Sequence, residues 1–251
     1  MPRFFVKNEQ IKEKTIEIIG EDIKHIKNVL RKQIGDDIEI CDRDTKKSYI
    51  CQIEKIEDKI ILTKIVKELQ SNDNMIEVDI YQGLPKADKM ELIIQKSIEL
   101  GANAIIPVKM KRCVVKIDSK DEIKKITRWQ KIAESAAKQS GRNEIPQIKN
   151  IVDIEKIIQL IDQYDKVIVA YENEKENTIK HELLNLKEKI RVNNKIKIAI
   201  VIGPEGGLEE KDVETLKQHG AVSVTLGNRI LRTETVALNI LSIIMYELEI
   251  E

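Results

Sequence analysis

The chain has 251 residues, and 43 lysines and arginines are balanced by 43 aspartates and glutamates, so its formal net charge is zero. Apolar residues make up 41% of the chain and charged residues 34%, a globular composition that excludes a disordered chain. No apolar stretch approaches the roughly 20 residues that cross a bilayer, and residues 1–7 lack the apolar segment of a secretory signal. We therefore expect no membrane partner.

Cysteine and histidine usage indicates neither a disulfide scaffold nor a metal site. Cys41, Cys51 and Cys113 are odd in number and scattered, which is typical of a reducing cytoplasm. The three histidines share no metal-ligand spacing with them, so we expect no metal and a cytoplasmic location.

The first 70 residues predict a small strand-rich domain around one helix. The helix is expected over 21–32, where apolar residues have helical spacing and Lys27 and Arg31 would share one face. The polar residues 70–74 are the best linker candidate, which places the domain boundary between residues 72 and 73. β-branched runs predict strands at 15–19, 38–41, 48–53 and 60–65.

From residue 75 onward, strands and helices alternate, which predicts an α/β domain with a mostly parallel sheet. Residues 198–202 are continuously apolar, as in a strand that is buried on both faces. Parallel sheets bind ligands at the carboxyl ends of their strands, so the site should lie in the loops there. The predicted strands are 76–81, 104–108, 166–171, 196–202 and 222–226; the predicted helices are 86–100, 120–140, 153–161, 177–189, 209–219 and 235–247.

The loop after the strand at 196–202 reads GPEGG, at 203–207. Three glycines in five positions permit positive φ angles and a close approach of the backbone to a ligand. Neither nucleotide fingerprint, G-x-x-x-x-G-K-[ST] or G-x-G-x-x-G, is present. An ordinary strand-to-helix turn explains this loop about as well as a ligand site does.

The loop after the last predicted strand reads LGNRILRTET, at 226–235. Thr233 can cap the helix that follows, while Arg229, Arg232 and Glu234 could hold a phosphate and assist proton transfer. A helix cap with surface ion pairs is the alternative, but it leaves residues 227–232 unexplained.

Positive charge is concentrated in residues 84–146, which hold 14 basic and 8 acidic residues, a net charge of +6. Such a block is typical of a surface that binds a polyanion. A solvated helix face is the alternative explanation. The block ends in small residues at 135–141, which permit close helix packing, followed by Arg142 before a proline turn.

Together, GPEGG and LGNRILRTET resemble the small-subunit ribosomal RNA methyltransferase E family of the SPOUT superfamily. One departure is Leu208, since the family commonly has phenylalanine after GPEGG; this should change packing rather than chemistry. The resemblance runs through the whole chain, in HIKNVLR at 25–31, MELIIQKSIELGANAIIPV at 90–108 and RWQKIAESAAKQSGRNEIP at 128–146.

This resemblance implies an α/β protein with a PUA-like β-barrel domain that binds RNA over 1–72 and a SPOUT-type α/β domain with a trefoil knot over 73–251. The implied activity is methylation of N3 of a specific uridine in 16S rRNA, with S-adenosylmethionine as the cofactor. The implied partners are 16S rRNA or the assembled small subunit, and a second copy of the chain in a homodimer.

Residue roles follow from matching the two loops and the basic residues to this activity. The expected catalytic residues, which would stabilise an anionic uracil or take its proton, are Arg232, Glu234, Arg142 and Glu205. The expected cofactor-binding residues are Ile202, Gly203, Pro204, Gly206, Gly207, Leu226, Gly227, Ile230, Leu231 and Thr235. The expected RNA-binding residues are Arg3, Lys27, Arg31, Lys124, Lys125, Arg128 and Arg229.

Two other functions remain open from the sequence. One is a SPOUT methyltransferase that acts on another nucleotide or on tRNA, although other branches spell the two loops differently. The other is a non-catalytic RNA-binding protein, such as an assembly factor, which would keep the basic block but need neither glycine-containing loop.

Overall fold

The computed structural model describes residues 1–69, 75–190 and 195–249. The chain divides into two compact units, Met1–Asp73 with Ala137–Ile145, and Asn74–Ala136 with Pro146–Glu251. The predicted linker at 70–74 lies outside the described residues, and the boundary between residues 72 and 73 stays a prediction.

The first unit contains a five-stranded sheet in the order β1-β3-β4-β5-β2. β1 runs parallel to β3, and the other neighbours are antiparallel. Alternate aliphatic side chains pack with Phe4 into one core, so the expected strand-rich domain is confirmed. The sequence pattern did not predict β1, because its residues RFFV place apolar side chains next to one another and show no alternation. The strands are β1 Arg3–Val6, β2 Thr15–Ile18, β3 Asp37–Asp42, β4 Ser48–Ile56 and β5 Ile61–Leu69.

The helix of the first unit is shorter than predicted and changes type along its length. Helix α1 spans Glu21–Lys24 and continues as a π-helical turn over His25–Val29. Arg31 has a φ of +52°, in the left-handed region that ends helices. The prediction that Lys27 and Arg31 share one helical face is therefore wrong.

The second unit contains a parallel sheet in the order β12-β10-β11-β6-β7-β8, with β9 also paired to β7. The predicted α/β domain with a parallel sheet is confirmed, and β8 and β9, at two residues each, were too short to predict. The trefoil knot stays a prediction. The strands are β6 Ile76–Gly83, β7 Ala104–Lys109, β8 Gln147–Ile148, β9 Val152–Asp153, β10 Lys166–Ala170, β11 Ile196–Ile202 and β12 Val222–Val224.

Helices cover both faces of this sheet. One face packs against the apolar sides of α4 and α6, and α7 lies against β6 and β11 together with its neighbours α2 and α5. None of the helices described is both long and apolar enough to span a membrane. The helices are α2 Lys89–Glu99, α3 Ser119–Gln139, α4 Ile154–Leu160, α5 Ile179–Ile190, α6 Glu210–Gln218 and α7 Thr233–Leu248.

Helices α2 and α7 lie side by side and run in the same direction. At their starts, Nζ of Lys89 lies 3.2 Å from Oε2 of Glu234. At their ends, Gly101 packs so closely on Met245 that an added Cβ would lie 2.8 Å from its Cε. This packing holds the first turn of α7 beside the carboxyl ends of the strands.

Candidate active site

A pocket of about 470 Å³ lies at the carboxyl ends of β10, β11 and β12. Its lining comes mainly from the loops that follow these strands and from the first turn of α7. All the predicted cofactor-binding residues line it except Thr235, which is exposed on that first turn. The predicted catalytic residues Arg232 and Glu205 also lie in the lining, and the ion pair between Glu234 and Lys89 brings Glu234 to its edge.

The glycines of the loop at 203–207 stand where the backbone is too crowded for a side chain. A Cβ on Gly203 would lie 2.9 Å from the carbonyl carbon of Gly207. Gly207 has a φ of +71°, and a Cβ there would collide with the Glu172 carboxylate. The N–H of Gly207 also donates to the carbonyl of Pro204 at 2.9 Å. The loop is therefore a tight turn whose residues line the pocket, as expected where the backbone must approach a ligand closely.

Thr233 joins the two loops, a role that sequence analysis missed. Helix α7 begins at Thr233 with Arg232 as its N-cap, so the prediction that Thr233 caps this helix is wrong. Its hydroxyl instead donates to the carbonyl of Gly203 at 2.7 Å and accepts from Nε2 of the buried Gln82 at 2.9 Å. The helix starts two residues earlier than predicted, which places Thr233 in its first turn rather than at its N-cap.

Replacing Thr233 by valine should therefore destabilise the protein. The change removes the donor to the Gly203 carbonyl and one of the two acceptors of Nε2 of the buried Gln82, which keeps only the Gly83 carbonyl. This loss should cost about 1–3 kcal/mol of unfolding free energy. Chemical denaturation measures this cost. Thr235→Val, on the same turn but exposed, is the matched control and should change stability by less than about 0.5 kcal/mol. Equal effects of the two variants would contradict the assigned role of Thr233.

Lys89 forms ion pairs with both predicted catalytic carboxylates. Its Nζ lies 3.1 Å from Oε1 of Glu205 and 3.2 Å from Oε2 of Glu234. The backbone N–H of Lys86 also donates to Glu205, at 3.0 Å to Oε1. Burial alone would raise the pKa of Glu205, but hydrogen bonds from backbone N–H groups and from Lys89 outweigh it and lower that pKa. Glu205 is therefore ionised at neutral pH.

The loop after β10 contributes a third side of the pocket, through Tyr171, Glu172 and Lys175. It is held by Glu174, which accepts from the Ser223 hydroxyl and from backbone N–H groups of the same loop. The Ser223 hydroxyl and these N–H groups lower the pKa of Glu174 to about 2. The sequence analysis included this loop among those at the carboxyl ends of the strands, but it assigned no site residue to it, because the polar run ENEKEN has no periodicity and no glycine.

Other predicted site residues are not part of this pocket's lining. Arg142 belongs to the first unit, so its catalytic role stays a prediction. Arg3, predicted to bind RNA, is 11% exposed and bonds Glu39 and Asn143 within the same unit. Its donors are occupied internally, and the structure therefore favours a structural role for Arg3.

The remaining residues predicted to bind RNA differ in whether their charged groups are exposed or held in ion pairs. Lys124 and Lys125 are exposed on α3. On the same helix, Arg128 pairs with Glu91 at 2.8 Å. In the first unit, Lys27 lies 3.2 Å from Asp58, and Arg31 is exposed. Arg229 is exposed in the pocket lining.

The cysteines do not offer a nucleophile. Burial raises the pKa of Cys41, Cys51 and Cys113, in the case of Cys51 to about 12. All three thiols are therefore protonated at neutral pH, whereas a cysteine nucleophile reacts as the thiolate anion. Within the described part of the chain, no group of three or more His, Cys, Asp or Glu side chains could hold a metal ion.

Two domain families match the chain. Residues 72–245 match the RNA methyltransferase domain family, and residues 18–66 match the RNA methyltransferase PUA domain family. The first match contains every residue of the pocket lining. The second lies within the strand-rich first unit.

Similar proteins span the whole chain. The ribosomal RNA small subunit methyltransferase E of Bacillus subtilis (strain 168) is 41% identical over 255 residues, which cover 100% of this chain and 98% of that protein. The protein of the same name from Buchnera aphidicola subsp. Acyrthosiphon pisum is 30% identical, covering 94% and 89%. A crystal structure of a ribosomal RNA small subunit methyltransferase E from Neisseria gonorrhoeae, bound to S-adenosyl methionine, has a TM-score of 0.81 and 29% identity, covering 98% and 97%.

Proposed function

Because the chain belongs to the ribosomal RNA small subunit methyltransferase E family, we propose that it methylates N3 of a specific uridine in 16S rRNA, with S-adenosylmethionine as the methyl donor. The observation that carries the proposal is the glycine-lined pocket at the carboxyl ends of β10, β11 and β12. The related Neisseria gonorrhoeae structure with bound S-adenosyl methionine supports the choice of cofactor.

The residues of the pocket suit this cofactor. Its volume of about 470 Å³ falls in the range of small-molecule sites. Ile202, Leu226 and Leu231 offer an apolar surface for the adenine ring, and the crowded glycine loop offers backbone N–H and carbonyl groups. When bound, S-adenosylmethionine supplies an electrophilic methyl group on a sulfonium.

The chain's own groups must orient the uracil and manage its N3 proton. Uridine N3 is protonated near neutral pH, so the proton must leave and the developing negative charge must be stabilised. We assign stabilisation of that charge to Arg232, whose exposed side chain lies in the pocket lining. We assign proton acceptance to Glu234. The lowered pKa of Glu205 and its bonds to Lys86 and Lys89 suit it to holding the glycine loop.

Mapping of rRNA methylation tests the proposed function directly. Small-subunit RNA from cells that lack this protein, and from cells that carry it again, is digested and analysed by mass spectrometry. One uridine should gain a methyl group at N3 only when the protein is present. Methylation of tRNA or of another nucleotide would identify a different substrate.

A thermal-shift experiment with S-adenosylmethionine separates an enzyme from an RNA-binding assembly factor. A protein that binds the cofactor in its folded state is stabilised as the cofactor concentration rises. A protein that binds only RNA is not. No shift at millimolar cofactor would contradict the proposed enzyme.

The exposed lysines of α3 are proposed to contact RNA phosphates. Reversing Lys124 and Lys125 to glutamate should weaken RNA binding and lower the slope of log affinity against log salt by about one unit for each lost contact. Filter binding over a salt series measures both, and calorimetry should show unchanged cofactor affinity. Arg128 is left intact in this variant because it pairs with Glu91. If the variant keeps the RNA affinity and the salt slope of the wild type, this face of α3 does not contact RNA and is only a solvated helix surface.

The remaining expectations are proposals about assembly and location. We propose that residues 1–72 bind RNA, that residues 73–251 form a knotted catalytic domain, and that the protein acts in the cytoplasm as a homodimer through α7. Tyr246 on α7 is an exposed apolar side chain, which supports a partner on this helix. Light scattering that gives a monomer at micromolar concentration would contradict the homodimer.

A further inference from the structure

We infer that Lys89 is a positioning residue for the proposed methyl transfer, because it bridges the glycine loop and the first turn of α7 through Glu205 and Glu234. Its Nζ lies between the two carboxylates, at 3.1 Å from Glu205 and 3.2 Å from Glu234. The inference rests on the proposed function and adds a residue to it.

Three chain segments meet at this bridge. Glu205 is part of the glycine loop, Lys89 is the first residue of α2, and Glu234 lies in the first turn of α7. The N–H of Lys86 also holds Glu205, so residues 86–89 contact the glycine loop at two points. Loss of Lys89 would therefore remove one of two links between the glycine loop and α7, the other being the hydrogen bond from Thr233 to Gly203.

The electrostatics favour a lysine at this position. The side chains of Glu205 and Glu234 are 26% and 15% exposed, so their mutual repulsion is only partly screened by water. The hydrogen bond to Glu205, and then the contact with Glu234, raise the pKa of Lys89. Lys89 therefore stays protonated at neutral pH, and it serves as a fixed positive charge rather than as a base.

The bridge acts on both reaction partners. Gly203 and Gly207 are proposed to hold the methyl donor, and Arg232, the residue before α7, is proposed to stabilise the uracil. The distance between these groups depends on how the glycine loop sits against α7. Thr233 fixes one side of that contact through Gly203, and Lys89 fixes the other.

Three single variants test the inference in the full-length protein. Lys89→Met removes the ammonium group and keeps an unbranched apolar stem, while Lys89→Arg keeps a cation that can contact two carboxylates. Lys96→Met is the matched control, because Lys96 lies on the same helix and pairs with Glu99 at 2.8 Å. Lys96 is not part of the pocket lining.

We expect Lys89→Met to raise the cofactor Kd and the cofactor KM by about tenfold or more and to lower kcat, while the KM for RNA stays within about twofold of wild type. Lys89→Arg should recover cofactor affinity to within about threefold of wild type, and Lys96→Met should match wild type within about twofold. Isothermal calorimetry with S-adenosylmethionine gives the Kd, and transfer of labelled methyl groups gives kcat and both KM values.

A double variant keeps the test decisive if Lys89→Met does not fold. Lys89→Met with Glu205→Gln removes one of the two carboxylates that lose their counter-ion, Glu234 being the other. It should still bind the cofactor more weakly than wild type, because glutamine at position 205 restores no link between the glycine loop and α7. If that double variant or Lys89→Met binds the cofactor like wild type, the inference is wrong. It is also wrong if Lys89→Arg is as impaired as Lys89→Met. A wild-type protein that binds no S-adenosylmethionine overturns the proposed function itself.

Discussion

Gly207→Val is expected to abolish binding of S-adenosylmethionine. Gly207 has a φ of +71°, a conformation that a β-branched residue rarely adopts. An added Cβ would also collide with the carboxylate of Glu172, which lies in the pocket lining. The loop after β10 or the glycine loop must then move. Calorimetry should show a loss of affinity of at least about 100-fold, which corresponds to roughly 2.7 kcal/mol.

Gly220→Val is the matched control for the backbone strain. Gly220 has a φ of +104°, but no heavy atom lies within 4 Å of the position of an added Cβ. Both variants should lose roughly 1–2 kcal/mol or more of stability because of the positive φ, and only Gly207→Val should lose the cofactor. Gly203→Val tests the same loop without a positive φ. If Gly203→Val and Gly207→Val both bind the cofactor as the wild type does, the glycine loop is not part of the cofactor site.

Arg232→Ala is expected to lower kcat by about 100-fold or more if its guanidinium stabilises the negative charge on uracil in the transition state. The side chain of Arg232 is exposed and makes no capping bond to α7, so its removal should leave the fold intact. Cofactor affinity should change by less than about threefold, because a transition-state interaction contributes little to ground-state binding. Single-turnover transfer of a labelled methyl group measures the chemical step.

Arg229→Ala provides the comparison on the same loop. Arg229 also lies exposed in the pocket lining, but we propose that it contacts RNA. Its loss should raise the KM for RNA with kcat nearly unchanged, which is the pattern of an interaction present in both ground and transition states. If Arg232→Ala shows this same pattern, Arg232 is a phosphate contact rather than a catalytic group.

The location of the site could be predicted from the sequence because it depends on local pattern. A continuously apolar strand at 196–202 and the strand–helix alternation predicted a parallel sheet, and the glycines that follow marked the loop at its carboxyl edge. The same reasoning failed near Arg31. There the apolar spacing ends at Leu30, one residue before the left-handed Arg31, and spacing alone carries no information on a π-helical turn.

Contacts between distant segments could not be predicted in this way. Thr233 has the sequence signature of a helix cap, yet its hydroxyl bonds Gly203 and Gln82, the latter 151 positions away. Nothing local distinguishes Lys89 from the other lysines of residues 84–146. Only the parallel packing of α2 on α7 brings it between Glu205 and Glu234.

The sequence by itself determined the α/β class, the two loops that line the pocket and the family resemblance. These properties follow from periodicity, glycine placement and residue order, which are local and do not depend on how segments pack. The tertiary structure alone decided which charged side chains meet, because ion pairs and hydrogen bonds depend on distances of about 3 Å between segments that are far apart in the chain. For that reason Glu205 is engaged by Lys89 and Lys86, Arg3 is occupied within the first unit, and Arg232 is left exposed at the pocket.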